Sequence, residues 1–420
     1  MNRYIGLLFL LVVTFLTYYP ILGNDFLYYW DDQWMVMNHY TVGGINFQNI
    51  SAILTEFFGG QYGPINEFLF LFLYTMFGYN PLAFHLASLL LHLGCILFVY
   101  VIIRTIFSQT TRININQTES HYLALFTAFI FAVHPMNVES VAWISAVKIL
   151  NYAFFYLAAT YIYIIFIRNN NIYYYSLSIL LFIVSFLGKE QAVTFPIWIL
   201  MLYWLLGFSL KEKWMWIQIF PLLILSIVGG LITILSQAAA GGGVLVEQIS
   251  YPLWQRFILG CYSMFEYIAK FLFPYKLLYI YPFPMVIGEP IPSWMLLYPT
   301  LIVVIGITLW KYFKKWPIAI GLIFFFIHIF ITLHIITLSR FSVIADRYIY
   351  IASIGLAFIM VYYFLVFFKN KKSIALVLFA IYISILSVFS NIRCNKWKDS
   401  DSIKKELKEL LRQRSDYIEL

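Results

Sequence analysis

The amino-acid sequence predicts an all-α polytopic membrane protein, a bundle of about 11 transmembrane helices. Three observations carry this. Of 420 residues, 62% are hydrophobic and 20% aromatic. Only 11% are charged, and the mean hydropathy is +0.83; soluble domains of this length do not have such a composition. Apolar runs near spanning length, about 17–25 residues, recur along the whole chain. They lie near 4–22, 84–107, 121–134, 149–167, 173–188, 191–209, 214–236, 294–310, 317–336, 349–368 and 373–390.

The first run follows Met1-Asn2-Arg3 and has the length of a signal peptide. It lacks a small-residue cleavage site, and Tyr18-Tyr19-Pro20 is bulky there, so it reads as an uncleaved span. Loop cations then set the orientation. Arg3, Arg104 with Arg112, Arg168, Lys211 with Lys213, Lys311 with Lys314 and Lys315, and Lys369 with Lys371 and Lys372 all fall on one side if 11 runs cross. The N-terminus is then cytoplasmic and the C-terminus outside, although the Lys/Arg-rich tail 391–420 runs against that placement. Because the cations sit in short loops and the tail, the net charge of +8 is a topology signal and does not indicate nucleic acid. Residues 1–392 form the membrane domain, and 393–420 a short charged amphipathic tail.

The long first outer loop, 23–83, contains two amphipathic stretches near 45–58 and 64–77, read as interfacial helices. Residues 253–274 form a further amphipathic helix, with Glu266 and Lys270 four apart and able to pair. The sequence leaves open whether that helix is interfacial or buried. Cys95, Cys261 and Cys394 are far apart, with no disulfide or metal spacing.

Chemistry-bearing residues collect on the predicted outer face. From Tyr4 to Ile103 there is no Lys or Arg; the formal charges are Asp25, Asp31, Asp32, Glu56 and Glu67. Adjacent Asp31 and Asp32 repel, so one holds its proton more tightly, as a general base or a cation site requires. The bland alternative is a solvated loop. Lys148, Lys189, Arg340 and Arg347 oppose the usual bias of outer loops and suit a phosphate headgroup. Their structural alternative is pairing: Lys189 with Glu190, Arg347 with Asp346 or Asp32. His134 precedes Pro135 and reads more readily as a cap than as a catalyst. His85 and His92 share a helix face and read as buried packing residues. No His/Cys cluster has metal-ligand spacing, and no phosphate-cradling Gly loop or nucleophile elbow occurs. Ala238 to Gly243 reads as a flexible loop.

Several segments, in order, resemble a known family. They are Trp30-Asp31-Asp32; Phe84-His85-Leu86 with Leu91-His92; His134-Pro135 through Glu139-Ser140-Val141-Ala142-Trp143; Lys189-Glu190-Gln191; Tyr281-Pro282; Ala345-Asp346-Arg347-Tyr348 through Ser353-Ile354-Gly355; and Trp397-Lys398-Asp399. The chain resembles the transmembrane and tetratricopeptide-repeat glycosyltransferases, O-mannosyltransferase-like members of the GT-C membrane class. The resemblance implies a GT-C-like bundle that moves a sugar, mannose among the candidates, from a polyprenyl-phosphate donor to an acceptor hydroxyl. Acceptors are Ser/Thr of exported proteins, or a glycan or glycolipid. It also implies Asp31 or Asp32 as catalytic base. Lys189, Arg347, Lys148, Arg340, Asp346, His134, Glu139 and Glu190 are then the residues about the donor phosphate and sugar.

Two departures stand out. Relatives often carry Gly-Arg-x-Asp where this chain has Ala146-Val147-Lys148-Ile149. The repeats would begin where the chain stops, and 399–414 reads as one amphipathic helix. The expected protein is thus a bacterial member lacking the repeats. Its Asn-, Ile-, Lys- and Tyr-rich composition suggests a cytoplasmic (inner) membrane, with the site facing the periplasm or exterior. No cofactor is required by the sequence; Asp31 and Asp32 are the candidate ligands for Mg²⁺ or Mn²⁺. A transporter or flippase, with the acids as ion sites, is the rival from another class. A non-catalytic assembly partner is the third reading.

Overall fold

The computed structural model describes residues 3–110, 115–239, 251–308, 315–334 and 342–412. Arg112, Gly241 to Gly243, Lys311, Lys314 and Arg340 lie outside them. The described residues are helical, with one isolated two-residue bridge, Phe58 to Gln61. The helices in order are α1 (Arg3–Tyr18), α2 (Asp31–Met35), α3 (His39–Val42), α4 (Phe47–Thr55), α5 (Pro64–Phe77), α6 (Pro81–Phe107), α7 (Gln117–Val133), α8 (Val138–Ala142) and α9 (Val147–Asn169). Then come α10 (Ile172–Phe186), α11 (Phe195–Leu205), α12 (Lys213–Ala239), α13 (Leu253–Leu272), α14 (Leu297–Thr308), α15 (Trp316–Ile329), α16 (Ser353–Phe367), α17 (Lys372–Lys396) and α18 (Ser400–Leu411).

Each apolar run holds a helix, but the count of about 11 spans is not reached by length. Tyr4–Gly23, Pro81–Phe107, Ile144–Asn169, Lys213–Ala239 and Lys372–Lys396 are long and apolar enough to cross. A bent pair, Gln117–Val133 with Pro135–Ala142, makes a sixth. Five further apolar helices among the described residues are shorter, Ile172–Phe186 and Ser353–Phe367 among them. The shortfall has local causes. Gly188 and a 3-10 turn (Glu190–Thr194) interrupt the apolar sequence before α11. The 11 residues of α11 reach about 16 Å at 1.5 Å per residue, well short of a hydrocarbon core of about 30 Å.

Asn residues set many helix starts. Asn116 and Glu119 form a reciprocal capping box on α7, both bonds 2.9 Å. Asn80 caps α6, with Pro81 at its first turn. Residue Asn170 ends α9 in the left-handed region, φ 47°. Helix α7 stops at His134-Pro135 for a local reason: the residue before a proline is pushed out of the helical region, and His134 is extended at ψ 131°. The chain bends there by 54°.

Burial is unbroken from Leu123 to Ala153. The segment 134–148, expected as an outer loop, is therefore an interior plug of short helical turns. Helix α7 packs against α1, α6, α16 and α17, which makes it central. Helix α13 carries the expected pair, Lys270 Nζ 3.5 Å from Glu266. Cys95, Cys261 and Cys394 are free and buried.

The two ends of the bundle differ. At one, Arg168 Nε donates to Gln109 Oε1 (3.0 Å) and Thr110 donates to Leu205 O (2.5 Å). At the other, the tail meets the first loop: Asp25 N–H donates to Lys398 O (2.8 Å), and Asn24 Nδ2 to Cys394 O (3.0 Å). The start of the tail thus lies at the end that carries Asp31 and Asp32.

Candidate active site

A cavity of about 1060 Å³ opens at that end. Its walls come from the first loop, the plug, the turn before α11, the end of α12, the 279–280 and 342–348 segments and the tail. Charged residues on the wall are Asp31, Glu56, Glu67, Lys148, Lys189, Glu190 and Arg347. Indoles and phenols fill much of the rest, including Trp30, Trp34, Trp143, Tyr348 and Trp397.

The carboxylate pair is split. Adjacent residues on a helix point about 100° apart, and α2 turns Asp31 to the cavity and Asp32 inward. Asp32 is fully buried. Its Oδ2 accepts from Leu27 N–H (2.9 Å) and its Oδ1 from Ser145 N–H (2.9 Å). The Ser145 hydroxyl donates to the same Oδ1. Burial pushes the Asp32 carboxyl up to about 6, against the lowering effect of these hydrogen bonds and with a smaller upward push from Asp31. Asp31 is half-buried, lines the cavity, and interacts electrostatically with both Lys148 and Arg347. Two residues before it, Tyr29 holds φ 61°, a left-handed conformation unusual for a bulky residue. Its N–H donates to Gln33 Oε1 at 2.9 Å, which ties this turn to α2.

The cations stand around the same space. Lys148 Nζ donates to Gln61 Oε1 (3.2 Å), reaching across from α9 to the first loop. A tight turn through Gly59 (φ 54°) and Gly60 (φ 72°) presents Gln61 there, with Phe58 and Gln61 exchanging two 3.0 Å backbone bonds. Lys189 Nζ lies 3.2 Å from Glu190, the pairing expected of it, and 5.8 Å from the Tyr348 ring centre. Arg347 approaches that ring at 4.8 Å and the Trp143 ring at 5.2 Å. Its ion-pair partner is Glu139, not Asp346 or Asp32: Nη1 lies 2.5 Å from Oε1, and the Arg347 N–H donates to Oε2 at 2.8 Å. The other two acids are engaged elsewhere, Asp32 with Ser145 and Asp346 with Arg393.

Three of the expected residues stand behind the wall. Glu139 is buried and grips Arg347. Asp346 is buried, accepting from Tyr281 OH (2.7 Å) and Arg393 Nη2 (2.7 Å). His134 is buried, stacked 4.4 Å from Phe271, with Nε2 2.9 Å from Phe271 O and Nδ1 accepting from Met136 N–H at 3.3 Å. That is the geometry of a helix cap. Arg340 lies outside the described residues. Sequence reasoning missed Arg393 and Ser145; the one sequence signal for Arg393 is a cation just past the last apolar run, next to Trp397-Lys398-Asp399. Trp397 stacks on Trp143, ring centres 5.6 Å apart.

Among the described residues, no three His, Cys, Asp or Glu side chains gather as a metal site. No protein-family model matches the chain. Over 203 residues, 46% of the chain, it is 28% identical to a protein O-mannosyl-transferase of Caenorhabditis elegans. The match spans 27% of the length of that relative, so the similarity covers a part of each protein.

Proposed function

We propose that the chain is an integral-membrane glycosyltransferase that moves a sugar from a polyprenyl-phosphate donor to an acceptor hydroxyl. The observation that carries this is one cavity, at one end of an apolar bundle, lined by Asp31 together with Lys148, Lys189 and Arg347. A carboxylate beside cations is what a single displacement at a sugar phosphate needs. The partial likeness to a protein O-mannosyl-transferase supports a Ser or Thr acceptor and mannose as the sugar. The many apolar helices among the described residues support a bundle of the GT-C kind; the loop-cation pattern of the sequence is what favours a cavity on the outer face of the cytoplasmic membrane.

In this reading the polyprenyl tail lies in lipid against the bundle, and its phosphate enters the cavity. Arg347, held by Glu139, and Lys189 and Lys148 bind the phosphate oxygens. The acceptor oxygen attacks the anomeric carbon. The carbon–oxygen bond to phosphate breaks, and its electron pair stays on the phosphate, where the cations stabilise it. Asp31 takes the acceptor proton. One displacement inverts the anomeric centre.

The test is release of polyprenyl phosphate by the protein in lipid, with a panel of polyprenyl-phosphate sugars and peptide or glycan acceptors. Asp31→Asn should lower turnover by roughly 10²–10⁴ without lowering the melting temperature. A folded protein that binds none of these donors and releases nothing would sink the transferase reading in favour of transport.

A further inference from the structure

The structure points to a role for the tail that its sequence does not suggest. Arg393, near the end of α17, does not line the cavity. It is nevertheless buried, with Nη1 2.6 Å from Leu277 O and Nη2 2.7 Å from Asp346 Oδ2. The other oxygen of Asp346 accepts from Tyr281 OH at 2.7 Å. The next residue is Arg347, whose backbone N–H and guanidinium are both gripped by Glu139. The peptide between Asp346 and Arg347 is therefore pinned from both shoulders, by the tail on one and the plug on the other.

We infer that Arg393 is a positioning residue: through Asp346 it fixes where the Arg347 guanidinium stands in the cavity. The inference rests on the assignment of Arg347 to the donor phosphate. A guanidinium on a flexible stem binds phosphate well only when its fork is held in place. Asp346 deprived of Arg393 would be a buried carboxylate without its cation, and it would rotate or take a proton. Either change loosens the backbone one residue from the phosphate contact. The segment 393–397 is then part of the site, with Trp397 closing the wall beside Trp143.

The test is a double-mutant cycle read as affinity for polyprenyl phosphate, with no sugar and no turnover required. Arg347→Ala should weaken binding by roughly ten-fold or more, the size of a charge-assisted contact. Arg393→Gln should weaken it by a similar factor, and the double variant no further, because both act through one contact. Arg393→Lys should restore part of the loss. If Arg393→Gln does not fold, Tyr281→Phe, which removes the other bond to Asp346, takes its place in the cycle. A purely structural Arg393 would instead lower the melting temperature and leave phosphate affinity unchanged, or give losses that multiply. Either result overturns the inference. Arg347→Ala without effect on binding overturns the phosphate assignment itself, and the inference with it.

Discussion

Asp31 and Asp32 are chemically identical and one step apart, yet their surroundings give them different work. Asp32 accepts from three donors; Asp31 faces the cavity and its cations. Asp32→Asn sets an amide N–H against the Leu27 N–H and should cost about 1–3 kcal/mol, seen as a lower melting temperature. The pH dependence has a definite sign. A carboxyl raised on folding to about 6 favours the folded state while protonated, and that contribution is lost as pH rises from about 4 through 6. Lowering the pH across this window should stabilise the wild type relative to Asp32→Asn. Equal pH curves for the two proteins would show that Asp32 ionises freely. The same geometry bears on metals. Both Asp32 oxygens already accept hydrogen bonds inside the bundle, whereas Asp31 lines the cavity, so Asp31 is the carboxylate exposed to a cation such as Mg²⁺ or Mn²⁺. Turnover should persist in excess EDTA; its loss, restored by Mn²⁺, would assign a cation to Asp31.

At the level of helices, close approach decides more than hydropathy does. Where α15 crosses α16, a Cβ on Gly321 would stand 2.6 Å from the Gly355 carbonyl, and one on Gly355 would meet the backbone of Gly321. Backbone cannot yield as a side chain can. Gly355→Ala should therefore destabilise by about 1–3 kcal/mol, the usual cost of overpacking, measured as detergent-solubilised thermal stability. An unchanged melting temperature would mean that the two helices are not in contact. This also accounts for Gly355 in Ser353-Ile354-Gly355: the position serves packing and is not on the cavity wall. Helix α8 and its flanking turns show the converse. They are too short to span, but they fill the interior with Glu139 and Ser145, which hold Arg347 and Asp32.

Across the bundle, the described loops sort between two ends. The first loop, 188–190, 342–348 and the tail share the cavity end; Gln109 and Arg168 meet at the other. Phe47→Cys, 85% exposed in the parent, and Tyr173→Cys, 64% exposed, occupy opposite ends. The three native cysteines are buried and should stay silent. In intact cells a membrane-impermeant maleimide should label position 47 and leave 173 unlabelled. The reverse pattern would place the cavity in the cytoplasm.

Composition and periodicity were enough to define an all-helical membrane chain and the place of nearly every helix. They also identified the amphipathic α13 and α18, and the segments that carry Asp31, Lys148, Lys189 and Arg347, though not that the segment ending at Lys148 is buried. Hydropathy and helical period are local properties, so a residue-by-residue reading reaches them. Which of two adjacent carboxylates faces the cavity is a different matter. It depends on the orientation of a five-residue helix against Ser145, 113 positions away, and emerges only from tertiary packing. The same holds for the pairing of Arg347 with Glu139 and of Asp346 with Arg393. Those pairs join residues 208 and 47 positions apart, and a buried charge takes whichever counter-charge the packing brings within reach. No spacing along the chain records that choice.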